Sequence, residues 1–138
     1  MDEMNSWPEF DFLDGLGFTE GESACDKSIG RSYKVLHGAS FDLRFSYDRG
    51  DRSVEIGISG REFFGLEFAL ALVSESPPVG GLDVASLAEL LRRMWPDLSE
   101  LTKSPDWTER VRLVEEQESQ KWQANCNYAE ALKKFLES

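Results

Sequence analysis

Apolar and polar residues alternate most regularly in two runs near the middle of the chain. Phe41, Leu43, Phe45 and Tyr47 interleave with Asp42, Arg44, Ser46 and Asp48, and Val54, Ile56 and Ile58 repeat the period beyond Arg49-Gly50. A period of two is that of a strand with one buried face. Folding the runs about Arg49-Gly50 sets Phe45 opposite Val54, Leu43 opposite Ile56, Phe41 opposite Ile58, and Arg44 opposite Glu55 on the outer face. A slip of one residue would turn one apolar set outward, so the pattern itself fixes the register. The turn also spells Arg49-Gly50-Asp51, an adhesion tripeptide in secreted proteins. Each letter has a structural reason in a hairpin, and the glycine supplies the positive φ that such a turn uses.

Two further strands are expected around this hairpin. Tyr33 and Val35 precede it, and a loop at His37-Gly38-Ala39 would set Val35 opposite Phe41 and Tyr33 opposite Leu43. Leu66, Phe68, Leu70 and Leu72 follow it, alternating with Glu67, Ala69 and Ala71, and the closing Ser-Pro-Pro favours a strand over a helix. The result is a four-stranded antiparallel meander over residues 31–73. Residues 74–82 combine two prolines with two glycines and read as a linker.

Beyond the linker, Asp83 is expected to cap a helix whose stripe of Leu87, Leu90, Leu91 and Met94 ends at Trp95-Pro96. Ser104-Pro105-Asp106 starts another. Its apolar spacing runs from Trp107 through Val111, Val114, Trp122, Cys126, Ala129 and Leu132 to Leu136. That length is about 45 Å at 1.5 Å per residue, so the helix either projects or breaks near residues 118–120. At the N-terminus Pro8, Phe10, Leu13 and Leu16 predict a short helix ending at Gly15 or Gly17, followed by a loop over residues 19–30. The predicted fold class is α+β, a single domain over residues 1–138. It comprises an N-terminal helix, the four-stranded meander, and C-terminal helices packed on one sheet face.

The composition suits one core without help from disulfides or metal: 138 residues, 41% of them hydrophobic. The net charge of −11 argues against nucleic acid and anionic membrane surfaces and favours a basic protein partner. No segment has the pattern of a secretory signal or a membrane span, so a cytoplasmic location is expected. The charge is uneven. Residues 1–30 carry −7, residues 31–73 balance, and residues 74–138 carry −4. The N-terminal acids are interleaved with Trp7, Phe10, Phe12 and Phe18, an arrangement in which charge steers a basic partner and exposed rings anchor it. Asp11, Asp14, Glu20 and Glu22 are therefore the first candidate partner-binding residues, and the polar and aromatic stretch at Glu115 and Trp122 is the next.

Patterns for catalysis and metal binding are missing. Cys25 and Cys126 have neither a disulfide-framework nor a zinc spacing, and Asp11, Asp14 and Gly15 lack the rest of a calcium loop. Gly57-Ile58-Ser59-Gly60-Arg61 has arginine where a nucleophile turn needs its last glycine, and His37, the single histidine, falls in an expected solvated loop. Gly15-Leu16-Gly17-Phe18 resembles the carboxylate-binding loop of PDZ domains, but the acidic segment behind it is a poor strand and a helix end accounts for it better. A pair of carboxylates such as Glu55 and Glu67 could serve acid and base chemistry, yet nothing singles it out among 26 acids. No cofactor and no metal are expected.

Phe10-Asp11-Phe12-Leu13, followed by Gly17-Phe18, a short meander, a Leu-rich helix and a long last helix, resembles small acidic bacterial proteins found among the immunity partners of secreted toxins. The likeness is one of layout and assigns no role to any single residue. It implies a non-enzymatic inhibitor that occupies the basic or catalytic surface of a toxin, nucleases among them, inside the producing cell. The alternatives are an adaptor that associates through its C-terminal helix and a small enzyme with a carboxylate-based site.

Overall fold

Asp42–Asp48 (β3) and Asp51–Gly57 (β4) pair in the register that the apolar pattern dictates: Phe45 faces Val54, Leu43 faces Ile56, and Arg44 faces Glu55. The computed structural model describes residues 7–58, 61–75 and 83–137, with the backbone alone for Trp122, residues 125–131 and Glu137. Arg49 and Gly50 join the two strands with φ of 52° and 93°. Positive φ at both central residues belongs to a type I′ turn, whose twist matches that of the strands. The acids at the tip face one another, and Asp48 is drawn to Arg31 at 3.0 Å. Arg52 does not balance them. It reaches back to Glu9 at 2.8 Å and lies over the ring of Trp7 at 4.3 Å, which ties the hairpin to the N-terminal segment.

The sheet has five strands, not four, in the order β1-β2-β3-β4-β5. Thr19–Asp26 (β1), expected as loop, is an edge strand paired with Arg31–His37 (β2). All eight of its residues are exposed, so no apolar face marks it, and the backbone ladder alone makes it a strand. Residues 66–72, expected as the fourth strand, are helical: Leu66–Ser74 is α1, and the last strand is the short Phe63–Gly65 (β5) before it. Ala, Leu and Glu favour a helix. Apolar residues also occupy both parities of the run, and burial of Leu66, Ala69 and Leu70 follows the helical period.

The pairing of β2 with β3 also differs from expectation. Val35 faces Arg44 and Tyr33 faces Ser46, because the connection spans residues 38–41. Tyr33 and Val35 therefore point away from Leu43 and Phe45, while Phe41 enters the core from the loop.

The 3-10 helix Pro8–Leu16, α1, Val84–Leu101 (α2) and the start of Trp107–Glu137 (α3) share one core with the inner sheet face. Asp83 caps α2 by accepting from the Ser86 amide at 2.7 Å. This helix does not stop at Pro96. It runs on to Leu101, and full burial of Leu98 offsets the hydrogen bond that the proline forfeits. The last helix is unbroken over 31 residues. Trp107 and Val111 are buried, and none of the described side chains beyond Glu115 is.

Replacing Arg49 by Asn should stabilise the protein by about 0.5–1 kcal/mol, because Asn tolerates the left-handed conformation that a longer side chain strains. Gly50→Val should destabilise by about 1 kcal/mol or more. Urea midpoints measure both, and unchanged midpoints would show that the turn relaxes freely.

Candidate protein-binding face

Burying one parity of side chains sends the other outward. Tyr33, Val35 and His37 of β2, Asp42, Arg44 and Ser46 of β3, Glu55 of β4 and Phe63 of β5 share the outer face, and none belongs to the main core. A groove of about 340 Å³ crosses this face from Glu22 on β1 to Phe63 on β5, with Val35 buried at its base. Arg44 is held from two sides: Nη2 lies 2.8 Å from Glu55 Oε1, and the guanidinium sits 4.6 Å from the centre of the Phe63 ring. A second hollow of about 420 Å³ near the β1–β2 turn shares Tyr33 and Ser46 with the groove, so the two lie side by side along a trough.

The edge of the trough is shaped by a bulge. Pairing jumps from Glu20–Leu36 to Ser23–Lys34, so Gly21 and Glu22 together oppose Val35. A methyl group on Gly21 would lie 2.2 Å from Nε2 of His37, and only glycine lets the imidazole pack there. The other ring nitrogen, Nδ1, lies 3.1 Å from Asp42 Oδ2, and the Asp42 side chain is 8% exposed. That oxygen has no aligned hydrogen bond among the described residues, so the two groups are close without being well paired. His37 is thus half-buried at the end of β2 and wedged against Gly21, not solvated in a loop. Nε2, the nitrogen that a serine hydrolase would use, abuts backbone. Ser59 and Gly60 of the incomplete nucleophile turn lie outside the described residues.

The predicted partner-binding residues fall on three elements. Asp11 and Asp14 are exposed on the 3-10 helix, and Glu20 and Glu22 are exposed on β1. Glu115 is half-buried on α3, beside β5 at the opposite sheet edge, about 19 Å from β1 at 4.8 Å per strand. Trp122 lies on the same helix, its side chain outside the described set. The aromatic anchors expected beside the N-terminal acids are not at the surface. Trp7 and Phe10 are buried at 4% and 3%, with their rings 5.1 and 5.0 Å from that of Phe45. Phe12 is half-buried against this core, and Phe18 packs between Phe41 and Trp95. Rings in this segment are what attach an acidic, non-amphipathic stretch to the sheet. Sequence reasoning also missed Tyr33, Asp42, Arg44 and Phe63 as a group. Correct β2–β3 register would have joined Tyr33 to Asp42 and Arg44, and the β4–β5 pairing brings in Phe63.

Glu67 sits near the opposite sheet edge, at the start of α1. Partial burial, with Glu115 and Glu55 nearby, holds its carboxyl above the ordinary value of 4.5. Among the described residues no group of His, Cys, Asp and Glu could hold a metal ion, and no helix is long and apolar enough to cross a membrane. Comparison with protein-family models, with curated proteins and with solved structures finds no match to this chain.

The raised pKa of Glu67 has a defined consequence for stability. Between about 4.5 and the raised value, the folded chain keeps a proton that the unfolded chain has released, so stability falls as pH rises through that window. Glu67→Gln should therefore unfold at higher denaturant than the parent at neutral pH, with the difference vanishing below the window. A difference that grew as pH fell would contradict this.

Proposed function

We propose that this protein is a non-enzymatic inhibitor of immunity type, which holds a basic protein partner, such as a toxin domain, against its outer sheet face and β1 edge. The observation that carries the reading is the one-sided cover of the sheet. Among the described residues, the 3-10 helix, α1, α2 and the start of α3 pack on the inner face, and the opposite face keeps a trough bordered by a fully exposed acidic strand. An edge strand that carries acids can pair with a basic partner strand and disfavour acidic ones. Charges on β1 also keep this edge from pairing with further copies of itself, so one feature gives solubility and selectivity. Acids at the rim speed encounter, while the half-buried groups of the trough govern dissociation.

A second reading has its own observation. The last helix carries Leu132, Phe135 and Leu136 exposed to 46%, 75% and 74%, as an adaptor that pairs through this helix would. The inhibitor reading is preferred because its surface combines charge, concavity and a strand edge, whereas the helix offers an apolar stripe alone.

Binding kinetics on the captured partner decide between them. Neutralising Glu20 and Glu22 should slow association several-fold at low salt and flatten its salt dependence, with thermal stability nearly unchanged. Neutralising Asp11 and Asp14, which lie on the helical side, should do less. Equal rates for all variants, or loss of binding only on Leu132→Ser with Leu136→Ser, would favour the adaptor.

A further inference from the structure

The outer groove carries an electrostatic imbalance that its own residues do not resolve. Arg44, the one cation among the described residues lining it, is occupied by Glu55 and Phe63. Glu22 and Asp42 are left. Glu22 is exposed at the rim with no ion pair among the described residues. Asp42 is buried to 5% exposure; among the described residues its Oδ2, itself shut off from solvent, lies 3.1 Å from the half-buried imidazole of His37 without an aligned donor, which leaves Oδ1 as the oxygen a ligand in the groove would reach. A carboxylate so withdrawn from water gains strongly from a cation delivered to it, since the low local dielectric that makes it costly alone makes a pair favourable. The ring of Tyr33, 40% exposed, borders the same space.

We propose that this groove is a subsite for one arginine side chain of the partner, with Glu22 and Asp42 recognising the guanidinium and Tyr33 offering a ring face. The inference rests on the binding role proposed for this face and names what that face selects. Arginine fits better than lysine for two reasons of chemistry. A planar guanidinium can stack on a ring while its N–H groups fork between two carboxylates, which a compact ammonium cannot do. It also sheds water at lower cost, which matters beside a carboxylate as buried as Asp42. A single inserted arginine at the centre of an interface is the kind of contact that dominates dissociation.

The test uses the whole chain, labelled with ¹⁵N, and titrates Nα-acetyl-arginine amide against its neutral isostere, Nα-acetyl-citrulline amide. The arginine compound should shift the amides of Tyr33, Val35, Arg44 and Phe63 saturably, with a roughly millimolar Kd, and the citrulline compound should not. Glu22→Gln, an exposed and structurally neutral change, should weaken the response several-fold, and Asp42→Asn should abolish it. If Asp42→Asn fails to fold, Glu22→Gln decides. Non-saturable shifts scattered over the acidic surface, equal response to citrulline, indifference to Glu22→Gln, or the same shifts from Mg²⁺ alone would each overturn the assignment. Because no partner is present in this titration, its failure leaves the kinetic test of the binding face independent.

Discussion

Leu43, Phe45, Val54 and Ile56 are withdrawn almost completely from water into one core with Phe10, Leu13, Leu66 and Leu91. Each contributes about 1.5–3 kcal/mol by burial, so turning the β3–β4 hairpin over would forfeit the larger part of a small domain's net stability. That constraint reaches beyond the hairpin. Once these four face the helices, period two obliges Arg44, Ser46 and Glu55 to face the other way. The ladder then carries the same division to Tyr33 and Val35 on β2 and Phe63 on β5. The outer trough is thus the complement of the core.

The N-terminal segment shows the same logic. Its acids cannot enter the core, so the chain buries Trp7, Phe10 and Leu13 and leaves Asp11 and Asp14 outside. Glu9 is the exception that binds the segment to the sheet. Its carboxyl is held below the ordinary range by hydrogen bonds from Arg52, which also covers the Trp7 ring. Charge near the N-terminus therefore divides: Glu9 is structural, and Asp11 and Asp14 stay in water.

The hairpin, the Asp83 cap and a short N-terminal helix ending at Gly15 or Gly17, found to end at Gly17, were legible in the sequence because each rests on a local rule. Three features were not. Thr19–Asp26 has no buried face, so a pattern read from hydrophobicity is silent where only backbone bonds define a strand. Leu66–Leu72 is apolar at nearly every position, and period two and period 3.6 fit equally until burial chooses. The β2–β3 register shifted because a loop length cannot be read from His37-Gly38-Ala39 alone. That last error hid the candidate site, since Tyr33 and Val35 read as core cannot line a groove. Glu20 and Glu22 were found from charge, but Asp42 and Arg44 acquire meaning only when five strands set them side by side.

In the binding mode we propose, the outer sheet face and the β1 edge, not the helices, meet the partner. Hydrogen exchange of the purified complex against the free chain tests it most directly. Slower exchange concentrated in residues 19–26 and in the outward segments of β2 and β3, with the C-terminal half of α3 unchanged, is the predicted result. β1 should respond most, because it is the edge strand of the sheet and edge strands open most readily in an unbound protein. Protection confined to α3 beyond Glu116, with β1 exchanging as before, would contradict the account.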